Sequence, residues 1–87
     1  MSNLMLTRKA GQRVQVGAAD CVVEILRVGP AEVIIKVGGQ HEKLRPGNKL
    51  NVVDRALLTV VSIARGYVKL AFEADRSVTI MRTELLS

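Results

Sequence analysis

The chain has 87 residues and almost no aromatic side chains: no tryptophan, one tyrosine (Tyr67) and one phenylalanine (Phe72). Its core must come from Val, Ile, Leu and Ala, which bury less area per residue than rings do. A core that small favours stabilisation by association. There is one cysteine, Cys21, so a disulfide within the chain is excluded. Cys21 lies in an apolar run, which predicts a buried, inert thiol. There is one histidine, His41, in the polar stretch Gly38–Leu44, which predicts an exposed loop or edge-strand residue. One His and one Cys do not furnish the ligands of a tetrahedral zinc site, so no metal is expected. No apolar run approaches the ~18 residues of a membrane helix. The opening residues lack the apolar segment of a signal peptide. With a lone cysteine, this predicts a cytoplasmic protein with no membrane partner.

Catalytic patterns are also missing. Glu24, Glu32 and Glu42 are spread along the chain with no evident pairing for acid–base work. The glycines do not precede a helix, so no phosphate loop is formed, and no serine sits in an elbow motif. An enzyme, a cofactor and a small-molecule substrate are therefore not expected. The charge has a sign: 13 Lys and Arg against 8 Asp and Glu, a net +5. The cations are scattered rather than run together, which suits either a polyanionic partner or simple solubility.

What is present is a series of short β-branched runs between turn residues, the pattern of an all-β chain. In Val33–Val37 the residues Val33, Ile35 and Val37 share one face. In Tyr67–Phe72 the residues Val68, Leu70 and Phe72 oppose Tyr67 and Lys69. Cys21–Val28 and Ala56–Ala64 are apolar on both faces and read as central or interface strands. Gly29-Pro30, Gly38-Gly39, Pro46-Gly47-Asn48 and Arg65-Gly66 mark the turns. Helix is limited to a turn or two in the last six residues. Val23–Gly39 also aligns without a gap on Leu58–Ala74, 35 residues on: Val28 meets Ile63, Val33 meets Val68, Ile35 meets Leu70 and Val37 meets Phe72. That suggests a single domain, 1–87, with an internal repeat over 18–47 and 53–87.

The two ends carry a resemblance. Leu4–Gly17 is similar to the opening strand of the carbon storage regulator family, CsrA/RsmA, of the form L-x-L-T-R-[RK]-x-G-E. Leu4, Leu6, Thr7, Arg8, Lys9, Gly11 and Gly17 are in register, with Gln12 in place of the glutamate. Val60–Leu85 resembles the family's C-terminal half, carrying Val61, Ile63, Val68, Lys69, Leu70, Phe72, Ala74, Val78, Ile80, Arg82, Glu84 and Leu85 at matching spacing. The resemblance implies a small antiparallel β-barrel or sandwich of the CsrA type. It also implies an RNA-binding translational regulator that takes mRNA-leader or small regulatory RNA hairpins presenting GGA. Each RNA site would be composite, joining a first strand to a last strand of the other subunit. By resemblance the RNA-contacting positions are Leu4, Leu6, Thr7, Arg8, Lys9, Val78, Ile80 and Arg82, with backbone contacts from a loop at Ala74. By strand parity Leu4, Leu6 and Arg8 share a face, as do Val78, Ile80 and Arg82. Such faces would form an apolar ledge for unstacked bases with a cation at its rim.

The chain departs from the family in two ways. Its middle is enlarged by the length of the repeat offset. Under a duplication, the chain is a single-chain pseudo-dimer with one first strand. Residues 38–47 are then a worn copy of the C-terminal strand, and Arg45 is a second copy of Arg82. Under an insertion, the chain forms an intertwined homodimer. In addition, Ala74 is followed by Asp75 instead of proline and preceded by Glu73. These carboxylates oppose phosphate, Arg76 offsets part of the effect, and the departure motivates the alternative of a protein-interaction module that has lost RNA binding.

Overall fold

The computed structural model describes residues 2–17, 22–53, 56–74 and 80–82. Within them the chain forms strands only: β1 (Ser2–Lys9), β2 (Arg13–Val16), β3 (Val22–Val28), β4 (Val33–Val37), β5 (Gln40–Leu44), β6 (Lys49–Val53), β7 (Ala56–Ala64), β8 (Tyr67–Ala74) and β9 (Ile80–Arg82). The expectation of an all-β fold with antiparallel pairing holds. Cys21, Val78 and all of the C-terminal segment but Arg82 lie outside the described residues.

The strands make two antiparallel sheets. One runs β1-β8-β7-β6 and the other β5-β4-β3-β2-β9. The period-two runs behave as their patterns predict. Val33 and Ile35 of β4, and Val68, Leu70 and Phe72 of β8, are fully buried, while Tyr67 and Lys69 are exposed. β8 continues the alternation two residues further, so that Ala74 is also fully buried. The two runs that are apolar on both faces, β3 and β7, are interior strands of their sheets. One hydrophobic cluster joins Val14, Val23 and Ile25 of one sheet to Leu58, Val60 and Leu70 of the other, so the sheets form a sandwich around a single core. His41 is exposed on β5, the edge strand of its sheet.

The arrangement of partners is not sequential. β2-β3-β4 and β6-β7-β8 are two meanders, and each is completed by strands from the other half of the chain. β1 pairs with β8, and β9 pairs with β2. β3 and β7 each carry a bulge, between Ile25 and Arg27 in β3 and between Val60 and Ser62 in β7. The extra residues, Leu26 and Val61, are 37% and 41% exposed, as residues displaced from the ladder are.

Each bulge is gripped by a turn in the same way. The Gly11 amide donates to the Ile25 carbonyl (2.8 Å) and the Ile25 amide to the Gln12 carbonyl (2.9 Å). The Gly47 amide donates to the Val60 carbonyl (2.7 Å) and the Val60 amide to the Asn48 carbonyl (3.0 Å). Both turns need a positive φ, 91° at Gly11 and 92° at Gly47, which only glycine adopts without strain. A Cβ would meet nothing within 4 Å at either position, so the penalty of a side chain there is conformational and not steric.

Two outcomes follow. Gly11→Ala and Gly47→Ala should each cost about 1–3 kcal/mol, and by similar amounts because the two turns are alike. Phe72→Ala should cost about 3–5 kcal/mol, whereas Leu26→Ala on the exposed bulge should stay within about 0.5 kcal/mol. Urea unfolding midpoints measure all four.

Candidate nucleic-acid interface

β1 is one edge of the four-stranded sheet and β9 is one edge of the five-stranded one. The turn 10–12 carries the chain directly from β1 into β2, and β9 pairs along β2. The two edge strands therefore lie on one flank of the sandwich. Register fixes their relative placement. Arg82 stands opposite Val14, close after the turn, while Arg8 is the penultimate residue of β1, just before it. The two arginine positions thus share one end of the flank. Ile80 stands opposite Val16, one step further along.

On β1, Leu4, Leu6 and Arg8 stand opposite Phe72, Leu70 and Val68, all fully buried. Directly opposed residues point to the same side of a sheet, so this trio faces inward, and its members share a face as parity requires. Their exposure, however, reverses the expected order. Leu4 is 36% exposed, Leu6 is half-buried and Arg8 only 5% exposed. The cation is not at the rim. Parity groups Arg8 with two leucines, and it sits where the turn brings β3 beneath the end of β1. Its Nε donates to the Thr7 carbonyl at 2.9 Å. Thr7 and Lys9 have the opposite parity and are exposed.

Ala74 is also placed differently from the expectation of a loop. It is the last residue of β8, paired between Ser2 and Ala56, because the inward alternation of the strand runs through it. Glu73 is exposed on the outer face between Asn3 and Leu57.

β5 holds the place that corresponds to β1, not to β9. It pairs with β4 as β1 pairs with β8, with Leu44 opposite Val33 and Arg8 opposite Val68. The Arg45 amide donates to the Asn48 Oδ1 (2.9 Å) as the Lys9 amide donates to the Gln12 Oε1 (3.0 Å). Arg45 is therefore the counterpart of Lys9, and Leu44, buried, is the counterpart of Arg8. A gap-free overlay hides this. The turns are 36 residues apart, Gly11 to Gly47, whereas the hairpins are 35 apart, Val33 to Val68. Setting Lys9-Ala10-Gly11-Gln12 over Arg45-Pro46-Gly47-Asn48 reveals it.

No group of acidic, histidine or cysteine side chains among the described residues could hold a metal ion. No helix among them is long and apolar enough to cross a membrane.

These features define a class: an all-β sandwich in which edge strands are exchanged between two meanders and one flank joins a first strand to a last strand. The chain belongs to the CsrA family, described as a global regulator protein family, whose sequence model matches residues 43–87. That family consists of RNA-binding post-transcriptional regulators and not of enzymes. The match starts within β5 and runs through β9, so the C-terminal block of the resemblance falls inside it and the Leu4–Gly17 block precedes it. No curated protein and no solved structure matches the chain significantly.

The burial of Arg8 separates its role from that of Lys9. Arg8→Ala should lower stability by about 1.5–3 kcal/mol, the range for a hydrogen bond to a charged group. Lys9→Ala should leave stability within about 0.5 kcal/mol and weaken binding to any RNA, with a shallower salt dependence. Thermal unfolding and filter-binding titrations at several salt concentrations distinguish the two effects.

Proposed function

We propose that the chain is a sequence-specific RNA-binding regulator that acts on cytoplasmic messages and takes hairpins presenting GGA on the β1–β9 flank. The observation that carries this reading is topological. The Leu-x-Leu-Thr-Arg-Lys strand and the Ile-x-Arg strand lie at opposite ends of the sequence, and the fold brings them to the same end of one flank. By carry-over from the family, Leu4, Leu6, Thr7, Arg8, Lys9, Val78, Ile80 and Arg82 bind RNA with backbone contacts at Ala74; of these, Arg8 is buried here and instead holds the end of β1 in place. Unstacked loop bases rest on the exposed part of Leu4 and on strand edges, and the cations meet phosphate and guanine edges.

In this reading the chain is a single-chain pseudo-dimer. Residues 43–87 supply one family unit from the end of its first strand to its last, and β1–β4 supply a second unit without a final strand. The matched residues and the paired turns support it. One composite site per chain results. On the other flank Leu44 replaces Arg8, and β6, the counterpart of β2, is the last described strand of its sheet.

The test is a titration of the purified chain with a hairpin showing A-N-G-G-A in its loop, beside one with GGA changed to CCA. Tight binding to the first alone, at one RNA per chain and with a steep fall with salt, is expected. Arg82→Ala should cost about 1–3 kcal/mol of affinity without unfolding the chain. Equal binding to both hairpins overturns the recognition of GGA. Because a homodimer with two sites also binds one RNA per chain, the mass of the complex is measured as well: one chain with one RNA is expected, and a complex of two chains with two RNAs overturns the pseudo-dimer. Binding to neither hairpin favours the protein-interaction module, the reading to which the burial of Arg8 lends weight.

A further inference from the structure

The outer face of the β1-β8-β7 sheet has a depression of about 190 Å³ lined by Thr7, Ser62, Ala64, Tyr67 and Lys69. Register explains the cluster. Thr7, Lys69 and Ser62 form one cross-strand row, and Lys9, Tyr67 and Ala64 form the next. Two hydroxyls, an ammonium group and the chain's only tyrosine, 48% exposed, therefore converge beside the strand that bears the proposed RNA contacts. Among the described residues none of Lys9, Arg65 or Lys69 stands in an ion pair with a carboxylate.

The turn at this end is strained. Arg65, next to Gly66 and Tyr67, has φ 53°, the one positive value at a non-glycine among the described residues. Turns of this kind favour Asn or Gly at that position. Retaining an arginine there keeps a third cation beside Tyr67 against a conformational preference.

The chain also contains a counterpart for comparison. At the equivalent place on the other sheet, a depression of about 100 Å³ is lined by Arg27, Gly29, Pro30, Glu32 and Ile34. Glu32 takes the place of Tyr67, Ile34 that of Lys69, and Lys43 that of Thr7. The Lys43 Nζ lies 3.4 Å from the Glu32 Oε1, so its charge is met within the protein. The same geometry thus occurs twice; the other copy has Arg27 but no aromatic face, and its lysine is paired with Glu32, whereas the copy adjoining β1 has an aromatic face and two lysines without carboxylate partners among the described residues.

We propose that the Tyr67 depression is a subsite for an unpaired nucleotide adjoining the recognised RNA element. The base lies against the Tyr67 ring, the phosphate meets Lys69 and Lys9, and the Thr7 and Ser62 hydroxyls hydrogen-bond to the sugar or phosphate oxygens. The subsite rests on the reading of the chain as an RNA binder and enlarges its footprint from the β1 edge onto the outer face.

The chain has one tyrosine and no tryptophan, so its tyrosine emission reports Tyr67 alone. Two RNAs are compared: a hairpin trimmed to stem and A-N-G-G-A loop, and the same hairpin with a single-stranded flank. The flanked RNA should bind about tenfold more tightly and quench the emission; the trimmed RNA should bind without quenching. Tyr67→Ala should reduce the affinity for the flanked RNA to that for the trimmed one and leave the latter unchanged. Tyr67→Phe should keep the advantage of the flank and serve as the folded control. Equal affinity for the two RNAs with unchanged emission overturns the subsite while RNA binding stands. No binding of either RNA overturns both.

Discussion

Every other feature of this molecule depends on closing the edges of two short β-meanders. A three-stranded sheet of the lengths seen here buries one face at most and leaves backbone donors and acceptors open on both sides. The chain solves this by exchange. β1 covers β8 and β9 covers β2, so each meander is completed by a strand from the far end of the chain, while β5 covers β4 as its hairpin partner. Exchange also makes the core indivisible. Val14 and Val23 pack in the same cluster as Leu58 and Leu70, and neither half retains a core if the other is removed. With only Phe72 as a buried ring, the aliphatic side chains of both sheets are needed together.

The bulges follow from the exchange. A chain that leaves one sheet at β1 and enters the other at β2 must turn sharply between them, and the turn must be tied down. The amides of Gly11 and Gly47 do this by hydrogen-bonding to the carbonyls of Ile25 and Val60, where the extra residue of each bulge has shifted the ladder. Locally, then, the two halves are alike to within the side chain that completes the turn, Gln12 in one and Asn48 in the other. What distinguishes them is chemistry. Arg8 is matched by Leu44, Tyr67 by Glu32 and Lys69 by Ile34. The scaffold is thus symmetric in its turns and pairings and asymmetric in its side chains, with packing and an ion pair at Leu44, Glu32 and Lys43 where the other half carries Arg8, Tyr67 and Thr7.

Much of the fold is legible in the sequence. The alternation of Val33–Val37 and of Val68–Phe72, the turn residues between runs, and the apolar content of Ala56–Ala64 are local signals, and the strands fall where those signals place them. Pairing was not legible, because it joins residues far apart in sequence and no local pattern names a partner. β5 was open to misreading as a copy of the C-terminal strand since Gln40, His41, Glu42 and Lys43 have little apolar character. Its identity lies in the turn that follows it and in a one-residue change of spacing between turn and hairpin repeats. Arg8 was hidden differently. Parity ties it to Leu4 and Leu6, but parity does not say which face of an edge strand is covered, and the end of β1 happens to lie over β3.

The burial of Arg8 bears on how the flank would handle RNA. Arg8, 5% exposed and bonded to the Thr7 carbonyl, is held within the protein and fixes the end of β1 rather than reaching outward to a ligand. The exposed cations, Lys9 and Lys69, then supply attraction at a distance, and they lie on the opposite face of the same strands. An anionic strand drawn to the outer face meets the edge of β1 next, and beyond it the end of the flank where Arg82 stands. In the proposed RNA-binding reading, charge on the outer face and contacts at the edge would be divided between the two faces of one edge strand, which alternation of side chains makes available. A chain with few aromatics and no helix among its described residues gathers its tyrosine and its exposed Lys9 and Lys69 on the outer face beside this edge.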